Sequence, residues 1–356
     1  MFATCLRTVP LYSLSPLRST SLNSNALHDV LSNVRCFTTR QSAQTVKRVK
    51  ARPTLKEKLM APATDTPFNL GKIGVAVGSG LGVGALCFYG LGLSKQIGTI
   101  DRMGLWPSYV RERIQATYGY LGGSLALTAG AAYGVSRSPM LMNLVMRNSI
   151  LSLFVTIAAM IGTGSLCRSL PYQSGSANTA KHMAWLLHTG VMGAVIAPLT
   201  LLGGPLLIRA AWYTAGVVGG MSAVAYCAPS EKFLNMGGLL GAGLGVVFVS
   251  SIGSAFMPPT TALGASLYSI AVYGGLVLFS AFLLYDTQRV IRLAESYPPP
   301  MRNYRIQQPM LGYDNTALTV ERNFDPLNAC LSIYLDTLNI FIRIAMILAG
   351  GGNRRR

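Results

Sequence analysis

The chain has 356 residues, 51% apolar and only 12% charged, with a mean hydropathy of +0.41. A soluble domain of this size carries about twice that share of charge, so a water-soluble globular fold is excluded and an all-α polytopic membrane protein is expected. The net charge is +18, but the basic residues mostly separate apolar runs, as membrane topology requires. They form no basic face with interleaved aromatics, which argues against nucleic acid as a partner.

Residues 1–37 have the composition of a mitochondrial transit peptide. Arg7, Arg18 and Arg35 face one acid, Asp29, and Ser13, Ser15, Ser19, Thr20, Ser21 and Ser24 are dense around them. Arg-rich, Ser-rich and acid-poor is the transit pattern. A secretory core is broken by Pro10, Ser13, Ser15 and Pro16. Arg35-Cys36-Phe37-Thr38 resembles a processing site, with an arginine two residues before a cut after an aromatic. Residues 38–70 then form a basic tail, with Lys47, Arg48, Lys50, Arg52, Lys56 and Lys58 and too little apolar content to fold alone.

Eight runs approach the 20 or so apolar residues that a spanning helix needs. They are Ile73–Leu93, Ile114–Val135, Ser149–Cys167, His182–Leu202, Pro205–Cys227, Phe233–Met257, Ala262–Tyr285 and Leu327–Leu348. The first lies in a separate glycine-rich segment, 71–94, with Gly74, Gly78 and Gly82 at four-residue spacing. That spacing lets helix backbones approach closely in lipid. A phosphate loop would need a βαβ setting, which this segment lacks. The other seven runs form a membrane domain over 112–350, followed by a basic tail, 351–356. Eight spans put both termini on one side. The basic tails favour the matrix for that side, while Arg289, Arg292, Arg302, Arg305 and Arg322 in the last loop pull the other way.

Cys5, Cys36, Cys87, Cys167, Cys227 and Cys330 form no C-x-x-C pair and read as small apolar fillers. His28, His182 and His188 show no metal-ligand spacing with them. No cofactor is implied. No zincin, nucleophile-elbow or P-loop pattern occurs, and the chain is not expected to be an enzyme.

Two aspartates stand out. Asp286 closes the seventh run and Asp336 lies inside the eighth. An ionised carboxylate at membrane depth costs at least about 2.5–3.5 kcal/mol, so each marks a functional site by default. Asp325-Pro326 at the head of the eighth run reads instead as an N-cap and first helical residue. Asn339, Ile340 and Arg343 share the face of Asp336. Asp336 is therefore either a structural partner of Arg343 or an ion site, and Asp286 is either paired with Arg289 at the headgroups or part of the same site. A hairpin would set the two acids side by side. Two adjacent carboxylates cannot both ionise cheaply, so they would share protons. Ca2+ suits oxygen ligands and its charge matches two carboxylates, so Ca2+ entry with proton loss is a natural exchange cycle. The same pair could instead be a pH latch on a passive path.

The segments Leu283 to Gln288 (LLYDTQ) and Leu331 to Phe341 (LSIYLDTLNIF) resemble the two closing helices of the Bax inhibitor-1, or transmembrane BAX inhibitor motif, family. That resemblance implies a seven-helix core whose last helix is enclosed by the other six, here the second to eighth runs, with the first as an added helix. It also implies a di-aspartyl pH sensor linked to Ca2+ permeation, with Asp286 and Asp336 at the matching positions. A family arginine would correspond to Arg168. The loop Glu295 to Arg322 is longer and more basic than the family's short link. The expected role is a mitochondrial inner-membrane Ca2+ pathway, either Ca2+/H+ exchange or a pH-gated leak, affecting cell survival and cristae. The alternative is a non-transporting, anti-apoptotic protein that organises cristae, its basic segments contacting cardiolipin or inner-membrane protein partners. An intramembrane aspartyl protease is excluded, because Asp336 follows Ile333-Tyr334-Leu335 rather than Gly-x-Gly and no Pro-Ala-Leu motif occurs.

Overall fold

The computed structural model describes residues 54–94, 98–147, 150–172, 179–229, 231–297 and 324–352. The transit segment, residues 38–53 of the basic tail, Arg302, Arg305 and Arg322 of the last loop, and Arg354 to Arg356 lie outside the described residues.

Every apolar run lies on a helix. In chain order these are α1 (Thr66–Gly90), α2 (Ser108–Arg137), α3 (Ile150–Ser169), α4 (Thr179–Ile196), α5 (Gly204–Cys227), α6 (Gly237–Phe256), α7 (Ala262–Ser296) and α8 (Pro326–Gly352). A 3-10 turn, Ala197–Leu202, prolongs α4 around Pro198, and Gly203, at φ 93°, turns the chain into α5. Only glycine adopts that backbone without strain. All but α2 and α5 are long and apolar enough to cross a membrane. Those two have 30 and 24 residues. At 1.5 Å per residue they extend about 45 and 36 Å, more than the roughly 30 Å of bilayer hydrocarbon.

The last helix is the axis of the fold. Leu327, Cys330, Tyr334, Ile340 and Ala345 of α8 are fully buried, and α8 packs against α2, α5 and α7. The opposite extreme is α1, which buries no residue and exposes Leu70, Ile73, Val77 and Leu81. Of its spaced glycines, a Cβ at Gly78 or Gly82 would lie 3.5 Å from Val277 or Met221, ordinary contact, and one at Gly74 would meet nothing within 4 Å; the tight approach is instead at Gly71, where a Cβ would lie 2.6 Å from the Tyr273 ring. Ser269 Oγ of α7 donates to Pro67 O at 2.6 Å and fastens the start of α1. These contacts fit an added helix docked on the outside of a seven-helix bundle.

Lipid offers no water to buried hydroxyls, so each needs a partner within the protein. Thr117, Ser124, Thr128, Thr163, Thr214, Ser251 and Thr337 donate to the carbonyl four residues back, at 2.7–2.8 Å.

One boundary differs in a way that matters. The apolar run stops at Tyr285, but α7 continues to Ser296, so Asp286 is inside a helix rather than at its end. The continuation is possible because its polar residues find partners. Gln288 is fully buried, accepts from Phe233 N at 2.8 Å and donates to Pro229 O at 2.8 Å. Further along, Trp106 Nε1 donates to Glu295 Oε1 at 2.7 Å.

Candidate functional site

The start of α8 is fixed first. Asp325 Oδ1 accepts from Leu327 N at 3.1 Å and from Asn328 N at 2.9 Å, the N-cap expected of it. Its other oxygen holds Lys181 of α4 at 2.6 Å. Lys181 is buried and also donates to Leu170 O and Asn328 Oδ1, while Asn328 Nδ2 reaches Arg168 O at 3.3 Å. One buried ammonium therefore ties the ends of α3, α4 and α8 together. Nothing in hydropathy marks it, because Lys181 lies in the polar stretch between two apolar runs.

From this anchor α8 runs alongside α7. Asp286 and Asp336 come together, their carboxyls within side-chain hydrogen-bonding reach of one another. They are 6% and 5% exposed. Ser332, one turn before Asp336, lines the same cavity as the two carboxyls and donates to Ala329 O at 3.4 Å. Arg289 Nη1 lies 3.9 Å from Asp286 Oδ1, from a side chain that is 56% exposed. Asp336 Oδ2 is buried and takes no hydrogen bond from any described residue. A buried polar oxygen without a partner is rare and needs an explanation.

Both acids open onto a cavity of about 430 Å3. Its polar wall consists of the two carboxyls, Arg168, His188, Ser165, Ser332 and Asn339, and the rest is Ile, Leu, Met, Phe and Gly. A second cavity of about 360 Å3 lies nearer the head of α8, lined by Arg289, Asp325 and Asn328 among others. Arg168 and Ser332 line both, so they stand where the two chambers meet. Arg168, assigned from the family pattern, thus lies on the wall of the aspartate chamber.

Arg343 is deeper. It is buried and donates from Nη1 to Asn339 O and Oδ1, at 3.1 and 2.8 Å. Of the candidates, Asp286, Asp336, Arg168 and Arg289 line one or both chambers, and Arg343 lies about two turns of α8 beyond Asp336.

His188 has no metal-ligand spacing in the sequence, yet it lines the aspartate chamber. Its Nδ1 is 3.0 Å from Thr163 Oγ1, and Gly164 leaves room for the ring, since a Cβ there would lie 3.3 Å from Cε1. Its Nε2 is buried and has no partner among the described residues. A histidine in mid-span of an apolar helix was the signal available. Behind it, Tyr334 of α8 bonds Thr128 of α2 through their hydroxyls at 2.6 Å.

Among the described residues no three His, Cys, Asp or Glu side chains form a closed metal cage. The oxygens on the chamber wall are two carboxylates and hydroxyls, a set that suits a hard cation or protons.

The family model described as inhibitor of apoptosis-promoting Bax1 matches residues 110–354. The chain is 50% identical over 363 residues to growth hormone-inducible transmembrane protein of Rattus norvegicus, covering 99% of this chain and 98% of that one. It is 25% identical over 241 residues to inner membrane protein YbhL of Escherichia coli strain K12, covering 67% and 90%. It is also 26% identical over 162 residues to Bax inhibitor 1 of Rattus norvegicus, covering 45% and 56%. No solved structure matches.

Proposed function

The chain belongs to the Bax inhibitor-1 family of multi-pass membrane proteins, and from that premise we propose that it is a Ca2+ pathway coupled to protons through Asp286 and Asp336. One observation carries the reading. Two buried carboxyls meet on the wall of a chamber between two spans, and one oxygen of Asp336 has no partner among the described residues. Such a pair needs a positive charge or a proton between its members.

The cycle balances in charge. With protons on both carboxyls the pair is neutral and offers a cation no charge to bind. Ca2+ entering between the carboxylates releases up to two protons, and protons returning from the other side release Ca2+. Two protons against one Ca2+ moves no net charge. If protonation of the pair only gates the chamber and no proton crosses, the same residues form a gated leak. Arg168, at the junction of the chambers, is placed to offer the pair a rival positive charge when no cation is bound. Arg289 would do so weakly, being mostly in contact with solvent.

The proposed location is the mitochondrial inner membrane, resting on the Arg-rich, acid-poor composition of residues 1–37. Cardiolipin is the lipid that the basic tails would meet there. The family description speaks of apoptosis; control of Ca2+ load is a route by which this chain would affect cell survival.

The test is Ca2+ flux in proteoliposomes holding the full chain, with a proton-sensitive dye on the opposite face. Flux lost on Asp336→Asn and accompanied by counter-moving protons supports exchange. Flux unchanged by that substitution refutes the pathway.

A further inference from the structure

Arg343 lies seven residues beyond Asp336 on α8, about 10 Å further along the axis at 1.5 Å per residue. It is 5% exposed in the interior of a membrane bundle. Guanidinium remains charged in proteins, so its surroundings must be built for it. Nη1 is held by the Asn339 side chain and carbonyl. Nε donates to Ala271 O of α7 at 3.2 Å. The guanidinium carbon lies 4.5 Å from the centre of the Phe279 ring, a cation–π contact.

The acceptor on α7 exists because that helix is irregular. Residues Ile270–Gly274 form a π turn, in which Gly275 N–H bonds Ile270 O five residues back. Such a slip breaks the regular ladder and is frequent at functional sites. It turns the Ala271 carbonyl toward Arg343. Gly275 leaves the space that the guanidinium occupies, since a Cβ there would lie 2.1 Å from Nε.

This assembly closes one end of the chamber. Asn339 and Phe279, both held by Arg343, line the aspartate cavity. On α8 that cavity ends at Asn339, and Ile340, Ile342, Arg343, Ile344, Ala345 and Met346 beyond it are all buried. The second chamber opens the other way, along Phe324 to Ser332. Starting at the head of α8, the two chambers run in series past Arg168 and the aspartate pair and stop at Arg343.

We propose that Arg343 is the plug that bars cations beyond the aspartate pair, with the π turn Ile270–Gly274 as the hinge that releases it; this rests on the Ca2+ pathway above. A fixed guanidinium repels a divalent cation, so passage requires its withdrawal. If the π turn relaxes to a regular α-ladder, the Ala271 carbonyl returns to its own helix and Arg343 loses that acceptor. Arg343 is a positioning residue in this scheme and never binds the ion.

The test is Ca2+ flux and pH dependence in proteoliposomes of the full chain carrying Arg343→Gln, Arg343→Lys or Gly275→Ala. Arg343→Gln is expected to raise flux at least about ten-fold, equivalent to about 1.4 kcal/mol off the barrier, and to leave in place the pH dependence set by Asp286 and Asp336. Arg343→Lys keeps the charge and stays near the wild-type rate, whereas Gly275→Ala displaces the guanidinium and follows Arg343→Gln. Flux at or below wild type in a folded Arg343→Gln protein overturns the plug, as does failure of both Arg343→Gln and Gly275→Ala to fold, since Arg343 is then a structural anchor. Wild-type flux that vanishes in Asp336→Asn but is unchanged in Arg343→Gln removes the plug and spares the pathway. No flux in the wild type, Arg343→Lys or Arg343→Gln removes both.

Discussion

Lys181 Nζ lies 2.6 Å from Asp325 Oδ2, and the lysine side chain is only 1% exposed. The pair fixes the head of the helix that carries Asp336. Removing one member of a buried pair strands the other charge and costs about 3–5 kcal/mol. Asp325 keeps some contact with solvent, so the lower end is expected. Lys181→Met should lower the apparent melting temperature in detergent, and Lys181→Met combined with Asp325→Asn should recover part of the loss. A double variant no better than the single one would show that the two residues do not act as a pair.

The close approach of α2 and α4 gives a sharper steric prediction. A Cβ at Gly193 would lie 2.5 Å from the Ala131 Cβ and 2.7 Å from Thr128 O. Backbone cannot yield at that distance. Gly193→Val should abolish recovery of a monodisperse protein, while Gly220→Ala, which would meet nothing within 4 Å, should leave yield unchanged. Size-exclusion profiles of the two variants decide it.

Arg289 faces Asp286 at 3.9 Å from a mostly exposed side chain. Exposed ion pairs contribute about 0–1 kcal/mol. Arg289→Gln should therefore shift the Ca2+ concentration for half-maximal flux by less than about five-fold. A larger change would mean that Arg289 holds the pair far more tightly than its exposure allows.

Tyr334 adjoins the aspartate site in sequence but turns away, its hydroxyl 2.6 Å from Thr128 Oγ1. Thr128 also bonds Ser124 O, so Tyr334→Phe strands no donor and should cost about 1 kcal/mol of stability with flux retained. Loss of flux at full stability would place Tyr334 in the ion path.

Much of this arrangement was legible in the sequence because lipid enforces simple rules. Apolar length gave the eight helices, and Asp-Pro gave the cap at Asp325. The Leu283 and Leu331 segments, through their family resemblance, pointed to Asp286 and Asp336 together. What stayed hidden depended on tertiary partners. The polar residues after Tyr285 read as the end of a span, yet Gln288 is buried because Phe233 N and Pro229 O receive it. Lys181 reads as solvated in the sequence but pairs with Asp325 in the fold. The face shared by Asp336 and Arg343 left open a pairing between them, while the irregular turn that supplies Arg343 with the Ala271 carbonyl has no marker in hydropathy. Helical periodicity shows which residues share a face and is silent on what stands across from them.

The proposed function depends on the Asp286–Asp336 pair carrying Ca2+ in exchange for protons. Its most direct test is Ca2+ uptake by proteoliposomes of the full chain under an imposed proton gradient, wild type against Asp336→Asn. The account predicts uptake that follows the gradient in the wild type and falls at least about ten-fold in the variant, a loss of about 1.4 kcal/mol of barrier lowering. Equal uptake by the two proteins, or none by a folded wild type, would contradict it.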